Sequence, residues 1–410
     1  MSPSALDGVR VIEFCDEIGS YCGKLLADLG ADVIKVEPPG GGWQRHTPPY
    51  FRDQEGVDTS LWFWVHNTSK RSVVLDLETD EGRALARKLA LTADVLLEDF
   101  PPGYLAARGL GYEELHAAKP SLVYTSITGF GQFGPHAHYA YSDIVGQAMG
   151  GVMTLAGEPD DPPNMIVGNQ ANICASIDAA QGTLLALLYA ERTGKGQHVD
   201  VSAQEAISMA QETAMQTWDL QKRNRVRTGE KGMIPVALPG WGVYRAKDGW
   251  VQLMVLAPAG KDFPALVDWM RERGMAADLD EEPYASLCAQ LSMPFVTQVM
   301  TNPESAMAVI PQLAHINEVV KAFIATLGAV EAYEEGQRRQ LLVGLVSTPK
   351  HLAENAQLRA RGWYRPVEFP HLGVTIEFPG PPYRLSETPA RIGRPPRLGE
   401  HTAEVLAELR

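Results

Sequence analysis

The strongest helical pattern lies near the middle of the chain. Apolar residues at Ile173, Ile177, Ala180, Leu184 and Leu187 are spaced four, three, four and three, which makes one stripe of an α-helix. Asn169 or Asn172 caps its start, because a short amide accepts hydrogen bonds from unpaired backbone N–H groups. Gly182 falls inside the helix, where glycine costs about 1 kcal/mol against alanine. A close packing partner is therefore expected there. Thr193-Gly194-Lys195-Gly196 ends the helix, and His198–Val201 begins a strand.

Towards the N-terminus the pattern alternates strand with helix. Val9–Phe14 reads as a strand. Gly19–Leu29 reads as a helix, with Cys22, Leu25, Leu26 and Leu29 on one face. Asp32–Glu37 is a second strand. A crossover of this length implies a parallel pair. Residues 38–60 are rich in Pro, Gly and polar residues, and a loop of that length is functional or mobile. Ser72–Leu77, Asp94–Asp99 and Leu122–Thr128 are further strands. Asp80–Leu91 is a helix capped by Thr79, with acidic residues in its first turn as the helix dipole favours.

Beyond the central stretch, Ala203–Gln221 reads as one long helix and Arg223–Gly232 as a charged linker. Gly242–Ala246 and Trp250–Leu256 form a hairpin around Lys247-Asp248-Gly249. This β-rich start, followed by helices to about residue 334, predicts a smaller α+β domain. The expected class is α/β. The small domain spans residues 226–334, and the parallel strands before it form a Rossmann-like domain.

Composition narrows the function. The chain has 410 residues with a net charge of −14, so no broad basic field exists to neutralise nucleic-acid phosphates. An anionic ligand needs a local basic pocket. Four scattered cysteines, none in a CxxC pair, read as reduced thiols of a cytoplasmic protein. No metal-ligand spacing appears among the ten histidines. No apolar run reaches 18 residues and the start lacks a signal-peptide pattern, so neither a membrane span nor secretion is expected. The loop after the first strand, Cys15-Asp16-Glu17-Ile18-Gly19, is not GxGxxG.

Several motifs in order carry a resemblance. They are VIEF with LLADLGADVIKVEPPGG, the NTSKRS run from Asn67 to Ser72, GFGQFGP from Gly129 to Pro135, and TGKGQHVDVS. VSTPKHLAENAQLRARGWY and RIGRPPRLGEHT follow near the C-terminus. Together they resemble the family III CoA-transferases, which include formyl-CoA transferase, carnitine CoA-transferase and the α-methylacyl-CoA racemases. The resemblance implies a large domain built from both ends of the chain, residues 1–225 and 335–410, and ring-like subunits threaded into an interlocked dimer, with coenzyme A as part of the substrate. It puts CoA at the carboxyl ends of the first strands, near Glu17, Asn67, Lys70, Asp99, Phe100, Arg108 and Gly129. Asp99 stands where relatives have an amide, and Ser20 where many have proline. Only Gly229 and Gly232 are available for the glycine loop that closes over the site in some members.

The same resemblance sets the catalytic question. In ungapped register on Gly182 and TGKG, the family's nucleophilic aspartate falls on Asn172. The racemase His-Asp pair falls on Ser142-Asp143, with His136 and His138 out of register. The reading that follows is CoA transfer between an acyl-CoA and a small carboxylic acid. If the register carries a local gap, Asp178 or a carboxylate from another loop serves as the nucleophile instead. One alternative is isomerase, racemase or lyase chemistry without a covalent intermediate, with Asn172 donating to the thioester oxygen and Asp143, Glu17 or Asp16 as base. The other is a silent CoA-binding subunit. The assembly is accordingly a homodimer or a heteromer with a paralogue.

Overall fold

The computed structural model describes residues 3–231 and 237–410; Gly232, one of the two glycines proposed for a closing loop, lies outside the described residues. The chain divides into two units. One comprises residues 1–153, 165–220 and 356–410, the other 154–164 and 221–355.

The large unit is built on six parallel strands: β1 (Arg10–Phe14), β2 (Asp32–Glu37), β3 (Arg71–Val74), β4 (Val95–Glu98), β5 (Val123–Thr128) and β6 (His198–Ser202). Their order is β3-β2-β1-β4-β5-β6. β4 and β5 are buried along their whole length, as expected where helices cover both faces. The order reverses between β1 and β4. In such sheets the ligand crevice opens at that point, outside the carboxyl ends of the strands.

The helices of this unit are α1 (Ser20–Asp28), α2 (Leu61–His66), α3 (Asp80–Thr92), α4 (Tyr112–Ala118), α5 (Asp143–Met149) and α6 (Gln170–Thr193). α6 is long and apolar enough by composition to cross a membrane. Its small residues Ala175, Ala179 and Ala186 instead pack against the sheet and α1, and Thr183 shares a 2.7 Å hydrogen bond with Thr125 of β5. The close partner implied at Gly182 is Val199, whose Cγ1 would lie 3.0 Å from an added Cβ.

Three expectations are corrected. The helix expected over Ala203–Gln221 is broken into α7 (Ala203–Ser208), a short 3-10 turn and α8 (Ala214–Gln221). The break centres on Glu212, at φ 52° and ψ −109°, which no helix accommodates. The third strand pairs only over Arg71–Val74, although Leu75 still donates to Glu37. The small unit extends beyond residue 334. Its sheet of β7 (Trp241–Arg245), β8 (Trp250–Met254) and β9 (Val343–Leu345) is completed by β9, which pairs with β8. Trp269, Phe263 and Phe323 fill the core of that unit.

The long loop 38–60 is fixed from both ends. Arg45, 1% exposed, makes a bidentate pair with Glu37 at 2.5 and 2.8 Å and lies over the Phe63 ring at 3.7 Å. It also donates to Asp58 and to the Pro396 carbonyl. Ser60 caps α2 and donates back to Gln44 and Thr47.

Beneath the switch point lies a buried ion cluster. Glu13 of β1 is fully buried, 2.9 Å from Lys35 of β2 and 2.7 Å from Lys70. Lys70 also donates to Asn67 and to the Ser20 carbonyl, while Lys35 donates to the Ser20 hydroxyl and the Cys15 carbonyl. Gly23 of α1 exists for this cluster, because a Cβ there would fall 1.7 Å from the Glu13 carboxylate. Gly23→Ala gains about 1 kcal/mol of helix propensity, but must push Glu13 off its lysines. A net loss of about 1–3 kcal/mol is expected, as for overpacked cores. Thermal unfolding of Gly23→Ala against Gly182→Ala checks it: the second meets only a methyl group and should be near neutral.

Candidate active site

The site is assembled at the head of α6, where Asn169 starts the helix. Asn169 lies in the left-handed region at φ 54° and makes no side-chain cap. Asn172 therefore sits inside the first turn. Its side chain is buried, 3% exposed. The Tyr141 hydroxyl donates to Asn172 Oδ1 at 2.8 Å. The other end of the amide, Nδ2, is buried without a partner. An unpaired buried donor costs roughly 1–3 kcal/mol, so this group calls for an acceptor.

Asp143 fixes the backbone beneath the amide. Its Oδ1 accepts from the Asn172 N–H at 3.1 Å and its Oδ2 from Gln147 at 2.6 Å. Gln147 is fully buried and clasps both backbone groups of Ile166. Tyr141 is held by two glycines. A Cβ at Gly129 would lie 2.3 Å from the Tyr141 ring, and one at Gly146 2.5 Å from its hydroxyl. Gly129, expected at the cofactor, thus makes room for the tyrosine that orients Asn172. Burial first, then Asp143 and Glu17, pushes the Tyr141 phenol above its ordinary range, so it stays a donor at neutral pH.

Glu17 projects from the loop between β1 and α1. It is half-buried, and burial, Asp99, Asp16 and Asp143, in that order, raise its carboxyl. Asp99 holds this loop in place. Its carboxylate accepts from the N–H groups of Asp16, Ile18 and Gly19 at 2.8–3.0 Å. Burial, against those bonds, pushes it up to about 6. Asp99 is thereby bonded to the backbone of the protein's own loop. Asp16 in turn accepts from the N–H groups of Trp43 and Gln44.

Lys70 and Asn67 are likewise inward-facing, 3% and 0% exposed. The Lys70 charge is answered by Glu13, and burial brings its ammonium down to about 8. Half-buried positive charge lies elsewhere. Arg83, Arg87 and Arg108 line a depression of about 340 Å³. Arg108 lies over the Tyr104 ring at 3.6 Å and pairs with Glu78 at 2.7 Å. Phe100 stacks on Tyr104, and both border a cavity of about 180 Å³ at the ends of β1, β2 and β4. Asp178 is exposed on the helix surface, away from the Asn172–Ser176 face.

The sequence reading passed over Tyr141, Gln147, Ser176, Arg83 and Arg87. Gln147 had a signal: it stands four residues after Asp143 at the start of a helix, where side chains meet.

These features describe an α/β protein whose ligand cleft opens at the switch point of a parallel sheet, with a buried amide at the head of a core helix. The chain belongs to CoA-transferase family III, whose model matches residues 6–402. It is 37% identical to succinyl-CoA:(R)-benzylsuccinate CoA-transferase subunit BbsE of Thauera aromatica, over 97% of this chain and 93% of that protein. It is 33% identical to succinate–glutarate CoA-transferase of Agrobacterium fabrum, over 98% and 95%. Its fold matches the crystal structure of a CAIB/BAIF family protein from Brucella suis over the full length of both chains, with a TM-score of 0.85 and 30% identity.

A second polar cluster lies at the ends of β4 and β5. Ser126 donates to Glu98 at 2.7 Å and shares a 2.9 Å hydrogen bond with His198 Nε2. Burial, aided by Asp99 and Asp200 and opposed by the Ser126 and Phe100 hydrogen bonds, pushes Glu98 up to about 7. A carboxyl raised on folding favours its protonated form in the native state. Its stabilising effect is complete below about pH 4.3, the unfolded value, and is lost as pH rises through about 7. Glu98→Gln keeps an acceptor for Ser126 and removes that loss. The variant should unfold at a higher temperature than wild type at pH 8, and the gap should close as pH falls towards 4.5.

Proposed function

We propose that this chain takes part in CoA transfer between an acyl-CoA thioester and a carboxylic acid. The observation that carries the reading is the unpartnered Asn172 Nδ2, held through its oxygen by Tyr141; the ungapped register sets the aspartate of family transferases against this residue. An amide is a poor nucleophile and cannot form an anhydride. It is a good hydrogen-bond donor. Placed against a thioester oxygen, it stabilises the negative charge that develops when the carbonyl is attacked, an effect worth roughly 10²–10³ in rate. Asp143 and Tyr141 fix its position beforehand, so no reorganisation is needed during the reaction.

The same reading puts the CoA phosphates near Arg83, Arg87 and Arg108, which line one open depression, and the nucleotide against Phe100 and Tyr104. The interlocked dimer implied by the family is supported by exposed apolar residues along α6: Ile177, Leu185, Leu188 and Tyr189. A reduced cytoplasmic setting fits the four free cysteines.

One observation favours a second reading, a silent subunit that needs a paralogue: a 37%-identical relative is itself named as a subunit. Succinyl-CoA, the donor in several relatives' names, is the first donor to assay, against a panel of dicarboxylic acids. Asn172→Ala should lower kcat by about 10²-fold or more with little change in acyl-CoA affinity. Turnover that appears only with a co-purified paralogue, and that Asn172→Ala leaves unchanged, would establish the silent-subunit reading instead.

A further inference from the structure

Transfer through an acyl-enzyme needs a group of this chain that takes the acyl unit from sulfur, and Asn172 cannot be that group. The carboxylates around the site separate clearly by what they already bind. Asp143 is engaged by the Asn172 N–H and by Gln147. Asp99 is engaged by three backbone N–H groups of the β1–α1 loop. Asp16 is engaged by Trp43 and Gln44. Among the described residues, the Glu17 carboxylate alone in this group has no hydrogen-bond or ion-pair partner.

The surroundings of Glu17 direct it to the amide. Its neighbours in the chain, Asp16 and Ile18, are both pinned by Asp99. The Ile18 carbonyl accepts from the Ser176 hydroxyl at 2.5 Å. Ser176 lies four residues after Asn172, on the same face of α6. The loop that carries Glu17 is thus docked one helical turn from the orphaned Nδ2. Glu17 and Asp143 are also the two charges that act on the Tyr141 phenol, the group bonded to Asn172.

We propose that Glu17 is the nucleophilic carboxylate of this chain, attacking a thioester carbonyl that the Asn172 amide polarises. The proposal rests on the transfer reading above. A Glu17 oxygen forms a bond to the acyl carbon as the C–S bond breaks, and CoA leaves as thiolate. The thiolate then attacks the glutamyl carbonyl of the mixed anhydride. The donor acid departs as its carboxylate, and a glutamyl-CoA thioester remains. The acceptor carboxylate attacks that thioester and expels the thiolate. The thiolate finally attacks the acceptor's acyl carbon and releases Glu17. No net proton, oxidant or reductant enters. A half-buried carboxylate among other carboxylates suits the role, because greater basicity makes it a better nucleophile. The backbone bonds of its loop hold it ready for attack.

Glu17→Gln replaces an unbonded, half-buried side chain by its neutral isostere, so the unfolding midpoint should not fall. With succinyl-CoA as donor and dicarboxylic acids as acceptors, kcat should fall by about 10³-fold or more, as when a covalent nucleophile is removed. The affinity for CoA itself, by calorimetry, should stay within about threefold. Mass mapping of wild type quenched with succinyl-CoA should find a CoA adduct on the peptide containing Glu17, and none in the variant. Turnover by Glu17→Gln within about tenfold of wild type, or an adduct on any other residue, overturns the assignment and leaves the transfer reading standing. If wild type, alone or with a paralogue, transfers CoA to no acid in the panel, both fall.

Discussion

Glu13 is the residue on which the site's geometry depends. Among the described residues it is the one carboxylate that forms ion pairs with both Lys35 and Lys70, two ammonium groups that the fold keeps out of water. Removing one member of such a group costs about 3–5 kcal/mol, because the remaining charges stay buried and unanswered. The cluster joins β1, β2, the approach to β3 and the first turn of α1 through the Ser20 carbonyl and hydroxyl. The β1–α1 loop is therefore tied from below by lysines and from the side by Asp99. A backbone held at so many points can carry an uncommitted carboxylate without letting it wander.

The scaffold around Asn172 is strict in a different way. Gly129 and Gly146 leave space for one ring, that of Tyr141, which donates to the amide oxygen. Asp143 holds the backbone N–H of the same residue. The site positions position 172 as carefully as a nucleophile would need, while the residue there is a hydrogen-bond donor. The proposed polarisation of a bound oxygen draws on this donor, with the bond-making step passed to a neighbour.

Much of the fold was legible in the sequence. Strand and helix alternated up to residue 202, and Gly182 implied the close contact that Val199 makes. The break at Glu212 was not legible, because nothing in Ala203–Gln221 departs from helical composition; its cause is a single backbone conformation. The reach of the small unit was also hidden, since β9 is three residues long and gains its place only by pairing with β8. At the site, periodicity marked α6 and register marked Asn172. It could not tell that Lys70 and Asp99 face inward. A basic pair and an acidic residue look the same in a sequence whether they bind a ligand or each other's backbone. Only burial separates the two cases.

The C-terminal segment has a consequence for how the chain is made. Glu404 and Glu408 pair with Arg71, Glu408 pairs with Arg10, and His401 donates its N–H to Ser72. The edge of the parallel sheet is thus finished by residues more than 300 positions downstream. The strands of the small unit all lie within residues 241–345. During synthesis the small unit's sheet is complete while the large one still lacks its last contacts. β3 must wait with an unprotected flank until residues 391–410 leave the ribosome, which makes this strand the natural point of chaperone engagement and of misassembly in the nascent protein.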